Sequence, residues 1–589
     1  MTGLKKARFK KLQNYSTGRL DEIRIHLARP DALLQLALLG LLTGLLAGIV
    51  IVLFRLLVEG TQEYLLPAHG SENYEALSDW SRFVFPVMGA IALAVMFRWF
   101  GGKLHVLGVA RVMERMSYHQ GPLTERGFLL QFFGAAVAII SGHSVGREGP
   151  HIFLGAAAGS LMGQYLSLPN NTIRTFVACG TAAGVAASFN TPLAGVIFAL
   201  EVIMMEYTVA SFIPVMLAAV SATTLSNLIL GSDRVFSIPV MKMDSISEMT
   251  LVVVLGIIAG TVSAAFVHLL QKVASHTRHI AIWWRLLMAG ISMGLIGIMV
   301  PEVMGIGYDS VQLALQGEMA ITLLLLLVIT KLIATSVVVG LGVPGGMIGP
   351  TLFIGAMLGA AIAKAAIFLP FEIQTHVGFF ALLGMGAMMS ASLQAPLAAL
   401  TAMLELTDNP AIILPGMLAV VVAGLTASEL FRKESLFLSM LKASGQDYNA
   451  SPVLQTLRRL GVASIMERNF VQVGPLISVQ QARNLLTDEP RYILIEQDGG
   501  ISVMMPAIEL ARFMETDESS ESEDIDLLNI PAERLQAGAI NLQANCQEAY
   551  EQLKSGLSEA LYVERPIRFG NRRIYGVLTK DMVERAYLY

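Results

Sequence analysis

A carboxylate stands beside a guanidinium in the run GREGP at residues 146–150, directly before an apolar stretch. If this stretch lies in a membrane, a carboxylate there is costly and indicates a functional site. A structural ion pair with Arg147 is the alternative, but neighbours in a helix point about 100° apart and need not neutralise each other. We therefore predict that Glu148 is the functional group.

The same run predicts an anion site. The Gly-Pro pairs at 149–150 and 349–350 each stand at the start of a short apolar helix. Proline in a first helical turn sacrifices an amide that is unpaired anyway, and the neighbouring free amides point outward. A helix N-terminus carries about half a positive charge and binds anions. Two anion-attracting helix ends are expected, before Ile152 and before Thr351; simple turns between packed helices are the alternative.

The elements that must position these groups are membrane helices. Of 589 residues, 54% are hydrophobic and 15% are charged, whereas soluble proteins carry about 25% charged residues. After residue 450 lie 34 of the 86 charged residues, so the first 450 residues have membrane composition and the rest has soluble composition. Disorder, a secreted disulfide scaffold and a wholly soluble enzyme are excluded. The net charge of −4 indicates no nucleic-acid partner.

Apolar runs long enough to span a bilayer alternate with shorter apolar pieces. The spanning runs are 32–58, 82–100, 210–231, 249–271, 283–300, 319–340 and 410–430. The shorter pieces are 151–167, 176–188, 192–204, 347–358 and 376–391. About a dozen residues cannot cross ~30 Å of hydrocarbon as a helix. These pieces are therefore predicted to be short helices enclosed by protein, which is typical of a transporter or channel.

The membrane part is duplicated. GLLAG at 44–48 recurs as GIIAG at 256–260, and the Gly-Pro pair at 149–150 recurs 200 residues later. The segment CGTAAGVAASFNTPLAG is echoed 204 positions on, so that Glu201 matches Glu405. The halves extend over about 32–230 and 249–440. Duplicated halves with broken helices place the substrate at the repeat interface, near the midplane.

The two ends of the chain are expected to be cytoplasmic. Eight lysines and arginines in segment 1–31 precede the first apolar run, which places this segment in the cytoplasm by the positive-inside rule. Residues 446–589 contain two similar units, about 455–515 and 527–589, around an acidic linker at 515–526. Each unit alternates helix-like with strand-like segments, which indicates a tandem α/β regulatory pair. The four strand-like segments are 492–496, 501–505, 560–564 and 573–579.

These motifs closely resemble the CLC family of chloride channels and proton/chloride antiporters. The resemblance covers about residues 30–445 and rests on SGHSVGREGP from 141, FNTPLAG from 189, GVPGGMIGP from 342 and LELTDN from 404. The C-terminal units resemble the CBS-domain pair of many family members. The resemblance implies an all-α polytopic membrane protein of two inverted-repeat halves with broken helices, followed by a soluble α/β tandem CBS domain. It also implies a homodimer in which each subunit has its own pore.

The resemblance assigns the site residues. The family's glutamate in GREGP is a gate, so the carboxylate of Glu148 would occupy an anion site when ionised and leave when protonated. Gly146, Arg147 and Gly149 complete this part of the anion site. The second anion-binding element is carried over to the backbone amides of Met347 and Ile348.

Departures from the family pattern bear on the anion and on protons. Leu107 stands where the family has a serine hydroxyl, and Phe437 stands where it has a tyrosine, so the central site lacks both donors. The internal proton acceptor of the antiporters falls on Val202, with Glu201 one residue early. Glu201 and Glu405 are therefore either helix-packing carboxylates or, for Glu201, a proton relay.

The sequence predicts passage of chloride or a related small anion through a pore gated by Glu148. Channel-like passage is favoured because Val202 cannot bind a proton; proton/chloride antiport along Glu148 and Glu201 is the alternative. A more distant alternative is a CBS-regulated divalent-cation transporter that uses Glu148, Glu201 and Glu405, although hard cations need several converging oxygens.

No enzyme activity, metal or cofactor is predicted for this chain. An adenine nucleotide at the CBS-like pair rests only on Thr579-Lys580-Asp581, one residue short of the family's motif. The expected location is the bilayer of the plasma (inner) membrane.

Overall fold

The computed structural model describes residues 32–67, 72–101, 108–232, 236, 243, 248–366, 376–445, 457, 460–497, 500–515, 524–556, 558–566 and 572–586. The basic segment 1–31 and Leu107 lie outside the described residues. The chain divides into two compact units. The larger comprises Leu36–Tyr165 and Ile173–Asn449, and the smaller contains Leu166–Thr172 and Ala450–Tyr589.

The larger unit is helical. Its helices are α1 (Leu33–Leu65), α2 (Asp79–Met96), α3 (Val109–Tyr118), α4 (Glu125–Ile140), α5 (Glu148–Tyr165), α6 (Asn170–Phe189), α7 (Pro192–Phe198), α8 (Val209–Leu230), α9 (Glu248–Thr277), α10 (Ile282–Met299), α11 (Tyr308–Gln316), α12 (Ile321–Gly340), α13 (Ile348–Ala365), α14 (Val377–Leu393), α15 (Pro396–Thr407), α16 (Ile413–Leu425) and α17 (Leu436–Ala443). Turns of π-helix continue α2, α7 and α16 over Phe97–Gly101, Ala199–Met204 and Thr426–Leu430. Within the described residues, nine helices are long and apolar enough to cross a bilayer.

Three segments that we predicted to be short helices are longer. Segments 151–167, 176–188 and 347–358 correspond to α5, α6 and α13, which have 18, 20 and 18 residues. They are nevertheless enclosed by protein: 94% of the apolar window of α6 and 83% of that of α13 are buried. The helices are buried because they cross one another closely. For example, a Cβ on Gly155 of α5 would overlap the carbonyl of Gly180 on α6. Two segments are short as predicted, 192–204 and 376–391.

Matching contacts mark the two inverted halves. Gly355 and Gly384, the repeat mates of that glycine pair, cross equally closely in the second half. The halves meet at Gly146 and Gly346, which form an antiparallel bridge. Each N–H donates to the other residue's carbonyl, at 2.8 and 2.7 Å. Such mutual contacts between equivalent residues are what two-fold symmetry produces. The predicted membrane architecture of two inverted repeats is confirmed.

The smaller unit is α/β. Its strands are β1 (Phe470–Val473), β2 (Leu476–Ser478), β3 (Tyr492–Gln497), β4 (Gly500–Pro506), β5 (Asp524–Asp526), β6 (Leu535–Asn541), β7 (Ala560–Pro566) and β8 (Arg572–Thr579). Its helices are α18 (Val462–Ile465), α19 (Val479–Thr487), α20 (Ala507–Met514), α21 (Cys546–Lys554) and α22 (Lys580–Arg585). The main sheet has the order β1-β3-β4-β6-β7-β8, and β2 pairs with β5.

The sheet repeats one pattern twice. A parallel pair followed by an antiparallel strand occurs as β1-β3-β4 and again as β6-β7-β8. The four strands predicted from the sequence are confirmed as β3, β4, β7 and β8. The prediction of an acidic linker over 515–526 is wrong at its end, because Asp524–Asp526 forms β5. Ile525 pairs with Ile477 and is 2% exposed, so its burial holds the strand despite the flanking aspartates.

Candidate functional site

Glu148 is the first residue of α5 and is fully buried. Its Oε2 accepts a hydrogen bond at 3.1 Å from the N–H of Gly349, in the first turn of α13. Its Oε1 accepts a hydrogen bond from the hydroxyl of Tyr308, the first residue of α11. One of the two helix ends predicted to attract an anion therefore holds a carboxylate from the other half.

Arg147 forms its ion pair with Glu59 of α1, at 2.9 Å, rather than with Glu148. Arg55 lies 3.1 Å from the same Glu59 oxygen. The Arg147 guanidinium also lies 5.4 Å from the centroid of the Tyr308 ring, within the range of a cation–π contact. These contacts leave the Glu148 carboxylate to its two hydrogen-bond donors and place positive charge close by.

Glycine is needed on both sides of Glu148. A Cβ on Gly149 would lie 2.6 Å from the Cα of Gly346, and one on Gly146 would lie 3.0 Å from the N of Gly349. Met347 and Ile348 follow at the start of α13, at 6% and 2% exposure. The tertiary structure thus brings the predicted site residues of the two halves together, with Leu107 outside the described residues.

A cavity of about 470 Å³ adjoins this site. Gly149 and Met347 are part of its wall, so it reaches the backbone next to Glu148. Arg278 and Arg285 also line it, and basic groups around a cleft attract anions. Phe437 lines the same cavity, 1% exposed, and supplies an aromatic edge where the family resemblance implies a hydroxyl.

Glu201 and Glu405 contact helix ends other than the one that Glu148 contacts. The Glu201 carboxylate accepts hydrogen bonds from the N–H groups of Leu397 and Ala398, at 3.1 and 2.8 Å, in the first turn of α15. The Glu405 carboxylate accepts from the two equivalent amides at the start of α7, both at 2.8 Å. Each half therefore caps a helix of the other, and this geometry favours the helix-packing role over a proton relay.

Val202 follows Glu201 in the π-helical turn after α7 and is 4% exposed. Its side chain has no atom that can bind a proton. The position at which the resemblance implies an internal proton acceptor is therefore buried and apolar.

Sequence reasoning missed Tyr308. Its hydroxyl contacts a residue 160 positions away, and no local pattern connects the two.

Lys331 of α12 holds the turn that precedes Tyr308. Its fully buried ammonium lies 4.6 Å from the centroid of the Phe353 ring. The ammonium also donates, at 3.0–3.1 Å, to the carbonyls of Val303, Gly305 and Ile306. A lysine within an apolar run was the available sequence signal for this feature.

Within the described part of the chain, no group of three or more His, Cys, Asp or Glu residues is placed to hold a metal ion. The divalent-cation alternative needs Glu148, Glu201 and Glu405 as ligands. Glu148 contacts Tyr308 and Gly349, whereas the other two carboxylates cap different helices. The three carboxylates therefore accept hydrogen bonds from different groups and are not assembled into one cation site.

Comparisons with known proteins agree on one family. A family model described as voltage gated chloride channel matches residues 88–428. The chain is 30% identical over 402 residues to the putative chloride channel protein ClcB-like of Ralstonia nicotianae, covering 67% of this chain and 93% of that protein. It is 29% identical over 424 residues to the H(+)/Cl(-) exchange transporter ClcA of Salmonella paratyphi B, covering 70% and 89%.

Solved structures share the fold. A slow cyanobacterial Cl−/H+ antiporter superposes with a TM-score of 0.62 at 22% identity, covering 69% of this chain and 97% of that one. A eukaryotic CLC transporter superposes with a TM-score of 0.59 at 18% identity, covering 93% and 98%. The second likeness extends beyond the membrane helices into the C-terminal α/β unit.

Proposed function

The chain belongs to the family of voltage gated chloride channels, the CLC family, and we propose that it passes chloride or a related small anion through a pore gated by Glu148. Like its family, it is an anion-transport protein and not an enzyme. One observation carries the proposed gate: the buried Glu148 carboxylate accepts the Gly349 N–H at the start of α13. A carboxylate there imitates an anion, and its protonation removes the competition.

The wall of the cavity supplies the proposed route to the gate. Arg278 and Arg285 attract an anion into the cavity, and the backbone of Gly149 and Met347 borders it at the gate. When Glu148 is protonated and turns away, the Gly349 amide becomes available to the anion. The anion then replaces the carboxylate at the helix end, so conduction follows protonation of one residue.

Channel-like passage is the proposed mode. Proton movement across a membrane requires a chain of titratable groups or waters, since a bare charge in hydrocarbon is costly. Val202 cannot take part, and the Glu201 carboxylate is held by two amides. The second candidate is exchange of chloride for protons, which is favoured by the similarity to the Salmonella exchange transporter and to the cyanobacterial antiporter.

We also propose a homodimer in the inner membrane with both termini in the cytoplasm. The basic segment 1–31 supports that orientation. Leu193 and Leu397, beside the caps formed by Glu405 and Glu201, are 40% and 49% exposed and offer apolar surface to lipid or to a second copy. In this proposal residues 32–445 form the pore domain and 446–589 form a CBS-like regulatory domain.

The deciding experiment records chloride efflux from proteoliposomes together with internal pH. We expect chloride efflux without uphill proton movement when a chloride gradient is imposed. Absence of anion flux would refute the proposed function. Stoichiometric proton pumping that Glu201→Gln abolishes would replace the channel by the exchanger and promote Glu201 to the proton acceptor. Glu405→Gln is the matched control, because it changes the equivalent cap in the other half.

A further inference from the structure

We propose that Tyr308 is the hydroxyl donor of the anion pathway. In the closed state it holds the ionised carboxylate of Glu148, and when the carboxylate leaves it donates the same hydrogen bond to the anion. This makes Tyr308 a residue that sets both the pH response and the anion affinity. The inference rests on the proposed gate and adds a selectivity residue to it.

The two oxygens of Glu148 define the donors that an anion would meet. One oxygen accepts the Gly349 N–H at 3.1 Å, and the other accepts the Tyr308 hydroxyl. An anion that takes the place of the carboxylate lies between the same donors. Hydrogen bonds to a charged acceptor are about twice as strong as those between neutral groups. The Tyr308 hydroxyl therefore contributes to whichever anion, carboxylate or solute, occupies this position.

Tyr308 is held rigidly in place to serve this position. It is 9% exposed, and its ring packs edge-on against Phe236 with centroids 5.2 Å apart. Its N–H donates to Glu72 Oε2 at 3.2 Å, which fixes the start of α11. Gly307 before it has φ of +82°, and the turn further back is held by the ammonium of Lys331. A donor that is fixed before the anion arrives loses little entropy on binding.

Neighbouring hydroxyls are committed elsewhere. The Thr351 hydroxyl, in the first turn of α13, donates to the carbonyl of Ile348 at 2.6 Å. The Ser144 hydroxyl pairs with that of Thr335 at 3.1 Å. Phe437, at the family's tyrosine position, packs its ring edge-on against Phe198. Tyr308 thus supplies a hydroxyl to the pathway from a different helix than the family pattern implies.

Charged and titratable groups around the gate come from several helices. Arg55 of α1, Glu72 before α2, Arg147 before α5 and Lys331 of α12 interact electrostatically with Glu148 or Tyr308. Glu59 of α1, His151 of α5 and Asp309 of α11 interact in turn with members of that set. Replacing the Tyr308 hydroxyl by hydrogen leaves all of these groups in place. A change in pH response on that substitution therefore reports the hydroxyl itself.

The test compares Tyr308→Phe with the unsubstituted protein in chloride efflux measured across a series of pH values. Loss of the donor destabilises the ionised carboxylate, so protonation opens the gate at higher pH. We expect the pH of half-maximal flux to rise by about one unit. In the Glu148→Gln background, where the gate is already open, Tyr308→Phe should weaken chloride binding about tenfold in titration calorimetry. Tyr64→Phe is the matched control, since Tyr64 is 89% exposed.

An unchanged pH profile together with unchanged chloride affinity would overturn the inference, while flux that depends on Glu148 would leave the proposed function standing. Absence of flux in the unsubstituted protein would instead refute the function. Incorporation of 3,5-difluorotyrosine at 308 serves if Tyr308→Phe fails to fold. Its more acidic hydroxyl is a stronger donor, so the half-maximal pH must fall; no shift would overturn the inference.

Discussion

The proposed gate, Glu148, and the helix caps between the repeat halves, Glu201 and Glu405, use the same chemistry in different settings. Glu148, Glu201 and Glu405 each reach across to a helix N-terminus of the other half that carries a proline in its first turn. Glu201 and Glu405 each accept two adjacent backbone N–H groups, one per oxygen. Glu148 accepts one backbone N–H and one side-chain hydroxyl.

This difference separates a fixed carboxylate from a movable one. Two adjacent backbone amides belong to a helix that the whole fold holds, and losing their acceptor leaves both unpaired. If Glu148 turns away, it leaves one backbone amide and one hydroxyl without an acceptor. In the proposed function, an anion from the adjacent cavity accepts both hydrogen bonds in its place. In the proposed function, the presence of a substitute ligand, rather than the helix end itself, distinguishes Glu148 from the two caps.

The largest expected effect follows from Glu148→Gln. A neutral amide cannot compete at the anion site as a carboxylate does, so flux should rise on the order of tenfold and lose its pH dependence. Efflux assays across pH measure both quantities. The same flux and the same pH profile as the unsubstituted protein would show that Glu148 is not the gate. Glu148 would then be a fixed carboxylate like Glu201 and Glu405.

Substitution of either capping glutamate, Glu201 or Glu405, should lower the stability of the protein without changing how anion flux depends on pH. Glu201→Ala or Glu405→Ala leaves two amides without an acceptor, and each should lower the free energy of unfolding by about 2–3 kcal/mol. Denaturant titration in detergent measures this loss. Each Gln variant keeps one accepting oxygen and should lose less.

The pH profile of anion flux should be unchanged in both cap variants. Unequal effects of the two equivalent carboxylates on that profile would show that Glu201 has a role beyond packing.

A smaller effect is expected from Glu72, whose carboxyl group accepts the N–H of Tyr308. Desolvation raises the pKa of the Glu72 carboxyl to about 7. Because this value lies above that of the unfolded chain, stability is highest at acid pH and falls as the pH rises to about 7. Glu72→Gln should flatten this decline, which we expect to amount to about 1 kcal/mol for a partly solvated carboxyl. Thermal melting between pH 4 and 8 measures it, with Glu125→Gln as an exposed control; an equal slope in both variants would contradict the assignment.

Truncation after about residue 450 should have the smallest effect on the gate. The two hydrogen-bond donors to Glu148 in the described residues, Tyr308 and Gly349, lie within the larger unit, between Leu36 and Asn449. The truncated protein should therefore bind chloride with an affinity close to that of the full chain, measured by titration calorimetry. A folded truncated protein that binds no anion would show that the pore depends on the smaller unit.

The sequence by itself determined the membrane class and the duplication, and it singled out Glu148 as the residue that we propose as the gate. Hydrophobic runs report burial directly, and the GREGP run with its buried carboxylate identified Glu148. The C-terminal strands were also predictable, because the short apolar runs that form β3, β4, β7 and β8 are a local property of the sequence. Where burial overrides local composition, as at Ile525 between two aspartates, the prediction was wrong.

Only the tertiary structure decided which groups each carboxylate meets. Gly349 lies 201 residues and Tyr308 lies 160 residues from Glu148, and Glu201 contacts amides on a helix of the other half. Helix periodicity specifies the face that a residue occupies but not the helix end that it approaches. That choice depends on the close glycine crossings and on the bridge between Gly146 and Gly346, which the chain forms only when both halves pack together.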